Sequence, residues 1–464
     1  MAACAVLMAV WWLSEALPLP VTAILPLVLF PILKLMPMKD TVVPYADPNV
    51  FLFMGGFMIA MAMQKHNLHK RIALNIIHLM GTSPKKIILG FMIATAFLSM
   101  WISNTATAMM MLPIGIAVVE HIRNYMTSKE NTSANSNAIG TTLMLSIAYA
   151  SSIGGVGTLI GTPPNIVFAG MSRKLFPDMP AIGFVDWLMI GLPVVIVFLP
   201  ITWIYLVYIG APVRKMRIPG NRDIIKEEIK LLGPMKKGEI LTLVVFCGTA
   251  LGWIFRKDIL IGSFRIPGWS DMLGIAEFVH DGTVALIGAI MLFLIPTSFR
   301  KFEFVLNWKW AKKIPWGILL LFGGGFALAA GFQHSGLDVW IGNQFSEIRY
   351  GSLLILIVCV CLLLTFLTEI TSNTATITMM LPVLAALAIA FKIHPFLIMI
   401  PATISTSFAF MMPVATPPNA IIFGSKFVKI GDMARAGFFL NLLGVIIITS
   451  AMYLIVIPFL NRFV

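Results

Sequence analysis

The pentapeptide SNTAT occurs twice in the chain, at residues 103–107 and at residues 372–376. The two copies begin 269 positions apart, and the same offset relates MLPIGIAV, which begins at Met111, to MLPVLAAL, which begins at Met380. Chance would not preserve the order and spacing of several such blocks. The chain therefore contains an internal repeat, which has to be interpreted before any single motif.

A second pair of matching segments follows the first. Residues 161–170 read GTPPNIVFAG, and residues 415–424 read ATPPNAIIFG, 254 positions further on. The offset is shorter here because the first half carries a longer loop around residues 121–139. Both segments hold adjacent prolines within an apolar stretch, and proline cannot continue the hydrogen bonding of a preceding helix. Each half therefore predicts one discontinuous helix.

The composition is that of a membrane protein. Of the 464 residues, 59% are hydrophobic and only 11% are charged, and the mean hydropathy is +0.93. A soluble domain would carry about 25% charged residues. Apolar runs recur along the whole chain and are long enough to cross a hydrocarbon core of about 30 Å. No polar stretch is long enough to form a separate soluble domain, and the apolar first residues predict a membrane helix rather than a cleaved signal peptide.

The repeat and the apolar runs together predict an all-α polytopic membrane protein built from two inverted repeats. In each half, two apolar arms meet at the SNT triplet, and we interpret them as a re-entrant helical hairpin that adds no net crossing. Five crossings per half then place the two halves in opposite orientations. The first repeat is predicted over 1–210, with its hairpin at 86–120 and its broken helix at 140–175. A linker at 211–238 follows. The second repeat is predicted over 239–464, with its hairpin at 351–391 and its broken helix at 395–428.

The positive charge is distributed as expected for membrane topology rather than for nucleic-acid binding. The chain has a net charge of +13, but its Lys and Arg residues lie mainly in short connections between apolar runs. On this layout 23 of the 33 basic residues fall on one face, which the positive-inside rule assigns to the cytoplasm. The chain would then begin on the outer face without a basic flank, so we expect a further helix before Met1 in the natural protein.

Four polar interruptions inside the membrane indicate a binding site. Unpaired backbone groups are tolerated at that depth only where they line a protein-enclosed cavity. The arm after each SNT triplet begins a helix, whose free N–H groups and positive dipole end favour an anion. The TPPN breaks free backbone carbonyls beside Thr162 and Thr416, and neutral oxygens of this kind suit a hard cation. The four motifs contain no Arg or Lys, so joint binding of an anion and Na⁺ is predicted.

With these motifs the chain resembles the divalent anion:sodium symporter family, which carries succinate, malate, 2-oxoglutarate, citrate and, in some members, sulfate. The resemblance covers nearly the whole chain and includes WWLSEALPLPVTAILPL at 11–27, FMGGFMIAMAM at 53–63, both SNT triplets and both TPPN breaks. It implies a multi-pass protein of the cytoplasmic membrane, a homodimer, and a transport part that moves as a rigid elevator. Na⁺ would be the coupling ion, with no other cofactor.

The resemblance also implies the residues of the site. The substrate carboxylates would contact Asn104, Thr105, Thr162, Asn373, Thr374, Thr416 and Pro417. One Na⁺ would be held by Ser99, Ser103, Asn104 and Gly161. A second Na⁺ would be held by Thr368, Thr371, Asn373 and Ala415.

Several alternatives stay open at this point. Na⁺-coupled symport of a C4 or C5 dicarboxylate is the leading hypothesis, and a Na⁺-independent dicarboxylate exchanger on the same scaffold is the alternative. The chain has no P-loop for ATP hydrolysis and no nucleophile–base arrangement, which disfavours an ATP-driven pump and a membrane enzyme; an anion channel would have little use for two hairpins. Glu369, next to the second tip, is either a proton site or a hydrogen-bonding residue that supports the tip.

Overall fold

The computed structural model of the chain describes residues 1–81, 83–127, 133–210, 221–261, 264–345 and 352–460. These residues are mainly helical, as the apolar patterning predicts. The helices of the first half are α1 Ala2–Ser14, α2 Leu19–Ala23, α3 Leu25–Ile32, α4 Met38–Val42, α5 Pro48–Lys65, α6 Leu68–Met80, α7 Pro84–Ser99, α8 Asn104–Thr127, α9 Ser133–Gly155, α10 Pro163–Leu175 and α11 Phe184–Tyr205.

The second half continues in the same style after a short amphipathic helix. Its helices are α12 Asn221–Leu232, α13 Lys237–Ile254, α14 Trp269–Met272, α15 Asp281–Leu294, α16 Trp308–Ala311, α17 Trp316–Ser335, α18 Leu337–Phe345, α19 Leu353–Leu367, α20 Asn373–Ala390, α21 Phe396–Ser405, α22 Pro417–Phe423, α23 Ile430–Ala451 and α24 Ile457–Leu460. A 3₁₀ helix covers Val43–Ala46, and π-helical turns cover Leu206–Gly210 and Met452–Val456.

Eight helical segments of the described residues are long and apolar enough to cross a membrane. They are Met38–Lys65, Asn104–Arg123, Ala138–Gly155, Phe184–Gly210, Lys237–Ile254, Trp316–Ser335, Asn373–Ala390 and Ile430–Leu460. The prediction of a polytopic helical membrane protein is confirmed. The inverted orientation of the halves and the re-entrant path of the hairpins stay predictions.

Some elements differ from the sequence-based layout. Two short antiparallel strand pairs were not predicted, β1 Ile259–Ile261 with β2 Phe264–Ile266 and β3 Pro296–Ser298 with β4 Glu303–Phe304. Strands of two or three residues are too short to show an alternating pattern. The predicted linker contains α12, and its residues 211–220 lie outside the described residues. Of the predicted loop 121–139, residues 128–132 lie outside them as well, and α8 and α9 occupy most of the rest.

The described chain forms two compact units, each drawn from both halves of the sequence. The first unit comprises residues 1–69, 166–189 and 234–340. Within it α5 packs along α15, and Gly55 allows this approach, because a Cβ there would lie 2.7 Å from the backbone of Ala285. A buried ion pair between Arg256 and Asp281, with Phe184 N donating to Asp281 Oδ2 at 2.9 Å, ties its connecting segments together.

The second unit comprises residues 70–165, 190–233 and 341–464. The first hairpin, α7 and α8, packs against α9, and the second hairpin, α19 and α20, packs against α21. The short helix α22 packs against both α8 and α9. The helix after the second break thus lies against the hairpin and the broken helix of the first half, so this unit brings elements of the two repeats together.

Candidate functional site

The tip of the first hairpin holds a cluster of four oxygen atoms. Ser99 ends α7, is fully buried, and places its Oγ 2.6 Å from Asn104 Oδ1 and 2.7 Å from the Ser151 carbonyl oxygen. The same amide oxygen lies 3.2 Å from Ser151 O and 3.3 Å from Gly161 O. A serine hydroxyl has one proton to donate, so these oxygens cannot all be satisfied by one another. With the Asn104 amide turned, its nitrogen donates to Ser99 Oγ, Ser151 O and Gly161 O.

The tip of the second hairpin repeats this arrangement. Thr368 stands 269 positions after Ser99 and is also fully buried. Its Oγ1 lies 2.6 Å from Asn373 Oδ1 and 3.2 Å from the Thr406 carbonyl oxygen. Each tip therefore presents a hydroxyl, an amide oxygen and a carbonyl from the neighbouring broken helix, all uncharged.

Each break is held by the asparagine of its TPPN motif. Asn165 Nδ2 donates to Gly155 O at 3.1 Å and to Thr158 O at 2.7 Å. Asn419 Nδ2 donates to Ala409 O and Met412 O, both at 3.0 Å. The donors and acceptors of the two breaks correspond at the 254-residue offset, so the repeat extends to individual hydrogen bonds. The Oδ1 atoms of both asparagines are buried and have no donor among the described residues.

Three glycines make room for the first cluster. A Cβ at Gly155 would lie 2.4 Å from Asn104 Oδ1, and a Cβ at Gly161 would lie 2.4 Å from Gly155 O. A Cβ at Gly154 would lie 2.3 Å from Ala96 O on α7. Any larger residue at these positions would displace the amide or the backbone that forms the cluster. The counterparts in the second half are Phe408, Ala409 and Ala415, so the second break is built differently.

Each tip also exposes the start of a helix. Asn104 and Asn373 are the first residues of α8 and α20, and the first N–H groups of a helix have no partner within it. Ser103 caps α8 by accepting a hydrogen bond from Ala106 N at 3.3 Å, whereas Ser372 makes no side-chain cap. All four residues are only partly buried, so their N–H and side-chain donors can meet a ligand.

The other predicted residues lie beside these clusters. Thr162 and Thr416 are 2% and 4% exposed and directly precede α10 and α22, and Thr416 Oγ1 accepts a hydrogen bond from Asn419 N at 3.4 Å. Thr371 Oγ1 donates to Leu367 O at 2.8 Å and lies 2.6 Å from Thr376 Oγ1. The hydroxyl of Thr371 thus bonds within its own hairpin, whereas that of Thr368 also reaches Thr406 O outside the hairpin.

All thirteen predicted site residues lie within the second unit. They are Ser99, Ser103, Asn104, Thr105, Gly161, Thr162, Thr368, Thr371, Asn373, Thr374, Ala415, Thr416 and Pro417.

The donor set fits an alkali cation rather than a transition metal. Neutral hydroxyl, amide and carbonyl oxygens are hard ligands, whereas transition metals favour imidazole and thiolate. Among the described residues there is no group of three or more His, Cys, Asp or Glu that could hold a metal ion. Two uncharged oxygen clusters beside two helix N-termini can therefore receive small cations and an anion in the same unit.

A family profile matches almost the entire chain. The profile described as "Sodium:sulfate symporter transmembrane region" aligns with residues 1–459. The chain belongs to the sodium:sulfate symporter family. The membership confirms the resemblance seen in the motifs, because this family is one of transporters that span the membrane.

Curated relatives in the sodium:sulfate symporter family resemble the chain over most of their own length. The sodium-dependent dicarboxylate transporter SdcS of Staphylococcus saprophyticus is 43% identical over 457 residues, which are 98% of this chain and 85% of the relative. The protein of the same name from Staphylococcus aureus strain MRSA252 is 42% identical over 448 residues, covering 96% and 84% of the two chains.

Solved structures share the fold at low sequence identity. MtrF of Neisseria gonorrhoeae, described as illuminating a class of antimetabolite efflux pumps, superimposes with a TM-score of 0.57 at 13% identity, over 89% of this chain and 83% of MtrF. The YdaH transporter of Alcanivorax borkumensis gives a TM-score of 0.54 at 14% identity, over 89% and 86% of the chains. For this member of the sodium:sulfate symporter family, these two likenesses confirm the fold alone.

Two features of the site were not assigned from the sequence. Asn165 and Asn419 stand inside the repeated motif, so their repetition was a usable signal. The carbonyls of Ser151 and Thr406 gave no signal, because a backbone oxygen becomes a cluster member only through tertiary packing. The sequence marked Glu369 as a candidate because it is an acidic residue beside the second tip, but it did not identify the groups that Glu369 contacts.

Proposed function

We propose that the chain is a secondary active transporter that moves a C4 or C5 dicarboxylate, of the succinate, malate and 2-oxoglutarate class, across the cytoplasmic membrane by Na⁺-coupled symport. The observation that carries this proposal is the pair of uncharged polar clusters at the two hairpin tips, where Ser99 and Asn104 are arranged as Thr368 and Asn373 are. Each cluster offers a buried hydroxyl and backbone carbonyl oxygens, and neutral oxygens of this kind are suitable ligands for Na⁺. The curated relatives named as sodium-dependent dicarboxylate transporters support the same ion and substrate class.

The two clusters would bind Na⁺ as a co-substrate. Ser99, Ser103, Asn104 and Gly161 would hold one ion, and Thr368, Thr371, Asn373 and Ala415 would hold the other. Because these ligands are neutral, each bound Na⁺ adds a full positive charge beside a helix N-terminus. That charge makes the neighbouring space favourable for a carboxylate, which explains why a dicarboxylate would bind only after the ions.

The dicarboxylate would be recognised at both tips. One carboxylate would meet Asn104, Thr105 and Thr162, and the other would meet Asn373, Thr374, Thr416 and Pro417. The side-chain amides and hydroxyls can donate to carboxylate oxygens, and the N-terminal N–H groups of α8 and α20 add donors whose dipoles favour an anion. Two donor sets, one from each repeat, match a substrate with two negative ends.

Alternating access of the elevator type is the mechanism we propose for translocation. It is supported by the location of all thirteen predicted site residues in one compact unit, because a site that moves with its ligands has to belong to one body. We also expect the homodimer that the family resemblance implies.

Uptake into proteoliposomes tests the coupling. Labelled succinate should accumulate when Na⁺ is higher outside than inside, and uptake should fall to the background rate when choline replaces Na⁺. Equal uptake with and without Na⁺, combined with a requirement for preloaded internal dicarboxylate, would instead identify an obligate exchanger. A panel of unlabelled succinate, malate, 2-oxoglutarate, citrate and sulfate as competitors would define the substrate.

A further inference from the structure

In the second break, residues 410–412 donate their backbone N–H groups to a side chain from another element. Helix α21 ends at Ser405, and the chain over Phe408–Phe410 has no helical or strand structure although these residues are fully buried. The N–H groups of three successive residues point to a single side chain. Phe410 N and Met411 N donate to Glu369 Oε1 at 2.7 and 2.9 Å, and Met412 N donates to Glu369 Oε2 at 3.0 Å.

The same carboxylate also binds a third element. Asn441 on α23 donates its Nδ2 to Glu369 Oε1 at 2.7 Å. One turn earlier on that helix, a Cβ at Gly437 would lie 2.2 Å from Phe410 O, so α23 touches the backbone of the break. Glu369 is 3% exposed, and it therefore joins the second hairpin tip, the second break and α23 in one buried junction.

The first break is closed without such a residue. Position 100, the counterpart of Glu369, is Met. There Val156 N donates to Ile153 O at 3.2 Å and Gly157 N donates to Gly154 O at 2.9 Å, so local turns pair the counterparts of Phe410 N and Met411 N. The glycines of the first break allow close contacts with neighbouring groups, such as that of Gly154 with Ala96 O. The second break has Phe408, Ala409 and Phe410 instead and depends on a side chain from another element.

We propose that Glu369 is a positioning residue that fixes residues 410–412 to the second hairpin tip and thereby sets the second ion site, which includes Thr368, Asn373 and Ala415. Its neighbour Thr368 supplies one side of that site, and the segment that Glu369 holds leads directly into Ala415 and Thr416 on the other side. This inference rests on the proposed function for the identity of the ion. The junction itself is defined by the contacts alone.

Only a carboxylate suits this junction. Four N–H donors converge on its two oxygens, and an ionised carboxylate is an acceptor only. In Glu369→Gln one oxygen is replaced by NH₂, which would face a backbone N–H donor and leave at least one buried group unpaired. Glu369→Asp keeps the acceptor character but shortens the side chain by one methylene, so it should restore part of the function that Gln loses.

Hydrogen–deuterium exchange on the full-length protein in lipid nanodiscs tests the junction directly. In Glu369→Gln the amides of peptides covering 408–416 should exchange about tenfold faster or more, while peptides covering 153–162 should exchange as in the wild type. Met100→Leu, a volume-conserving change at the repeat-related position, should alter neither. Unchanged exchange over 408–416 in a folded Glu369→Gln protein would overturn the proposal, whatever the transported substrate.

Na⁺ dependence tests the functional consequence. The Na⁺ concentration for half-maximal uptake should rise at least about fivefold in Glu369→Gln, should rise less in Glu369→Asp, and should not change in Met100→Leu. A lower maximal rate with an unchanged Na⁺ requirement would overturn the positioning role. If Glu369→Gln does not fold, Asn441→Ala carries the test, because it removes one of four hydrogen bonds and should speed exchange over 408–416 to a smaller degree.

The two possible failures are distinguishable. If wild-type uptake ignores Na⁺, the proposed coupling is wrong, and the exchange data still decide whether Glu369 holds the break. If wild-type uptake depends on Na⁺ and both readouts are unchanged in the variant, the proposed function stands and the role of Glu369 is wrong.

Discussion

At the scale of single residues, the proposed ion sites present neutral oxygens rather than charged ligands. A buried carboxylate without a partner is costly, and the cost is large when its cation leaves. Hydroxyls, amides and carbonyls avoid that penalty in the ion-free state because they can pair with one another, as Ser99 does with Ser151 O. If these residues hold the ion as proposed, we expect reversible binding of moderate rather than very tight affinity.

Removing either buried hydroxyl should weaken cation binding. Ser99→Ala and Thr368→Val each delete an oxygen that lies 2.6 Å from a tip asparagine. A hydrogen bond or ligand contact to a charged group contributes about 1.5–3 kcal/mol, so the Na⁺ concentration for half-maximal uptake should rise by about tenfold or more. Thr368→Ser keeps the hydroxyl and serves as the control. A Na⁺ requirement that is unaltered in both deletions would remove these residues from the ion sites.

Replacing the asparagine of the second break, Asn419, by aspartate should destabilise the protein more than replacing it by alanine. Asn419 Nδ2 donates to two buried carbonyls, and each carbonyl left unpaired costs about 1–3 kcal/mol. Asn419→Ala loses the donors, whereas Asn419→Asp also places an acceptor against two acceptors. The melting temperature in detergent should therefore fall in the order wild type, Ala, Asp. The opposite order of the two variants would contradict the assigned amide orientation.

Residue types at the site could be predicted from the sequence because their motifs recur at a constant offset. Thirteen candidate residues were named from the family resemblance, and the structure groups them in one unit, while their roles stay predictions. The partners of Glu369 could not be predicted, because residues 410–412 lie more than forty positions away and nothing in FAFMM indicates which group their N–H donors meet. Contacts between residues so far apart in the sequence are decided by how the helices pack.

At the scale of elements, the first hairpin depends on close backbone contact with α9. Gly154 lies on the last turn of α9, where a Cβ would meet Ala96 O, Cα and C at 2.3 to 2.7 Å. Backbone atoms cannot rotate away as side chains can, so this contact fixes the spacing between α7 and α9. The cluster at Ser99 and Ser151 spans the same two helices, and its geometry follows from that spacing.

Gly154→Ala should therefore impair the first ion site by changing the spacing between α7 and α9. The added methyl has to push α7 and α9 apart, and overpacking of this kind costs about 1–3 kcal/mol. We expect a lower melting temperature and a raised Na⁺ requirement. Gly248→Ala on α13, where a Cβ would meet nothing within 4 Å, is the matched control and should raise helix stability slightly. Normal transport and stability in Gly154→Ala would show that the spacing is not critical.

Element positions were predictable where apolar runs end at polar or proline residues. Helix α7 begins at Pro84, two residues before the predicted start of the first hairpin at 86, and α20 ends at Ala390, one residue before the predicted end of the second at 391. The hairpin paths themselves stay predictions. Helix α8 extends to Thr127, beyond its predicted end at 120, because a helix can continue past the apolar run with polar residues. Hydropathy marks where a run leaves the apolar region, not where its helix ends.

At the scale of the whole molecule, sequence halves and compact units are different divisions of the chain. The repeat divides it near residues 211–238, whereas each unit takes segments from both halves. Periodicity along the chain could suggest the first division. The second depends on which helices pack together, and no local pattern carries that information.

The uneven distribution of Lys and Arg between the two membrane faces predicts the topology of the chain. Lys301 and Glu277 are exposed residues in the connections on either side of α15, whose 14 residues extend about 21 Å. If α15 crosses the membrane with its following connection in the cytoplasm, Glu277 faces outwards and Lys301 faces inwards. In a background with Cys4, Cys247, Cys359 and Cys361 replaced by Ala, a membrane-impermeant maleimide should label Glu277→Cys on intact cells.

Lys301→Cys should react with the same reagent only after the membrane is permeabilised. Labelling of both variants on intact cells would mean that α15 does not cross, and labelling of Lys301→Cys alone would reverse the orientation. The first result would also bear on the site, because the predicted opposite orientation of the two hairpins depends on the number of crossings between them. An inverted pair of tips requires an odd number of crossings per half, and α15 is one of the five counted in the second half. Whether this one short helix crosses the membrane therefore decides whether the two hairpin tips can enter the bilayer from opposite sides.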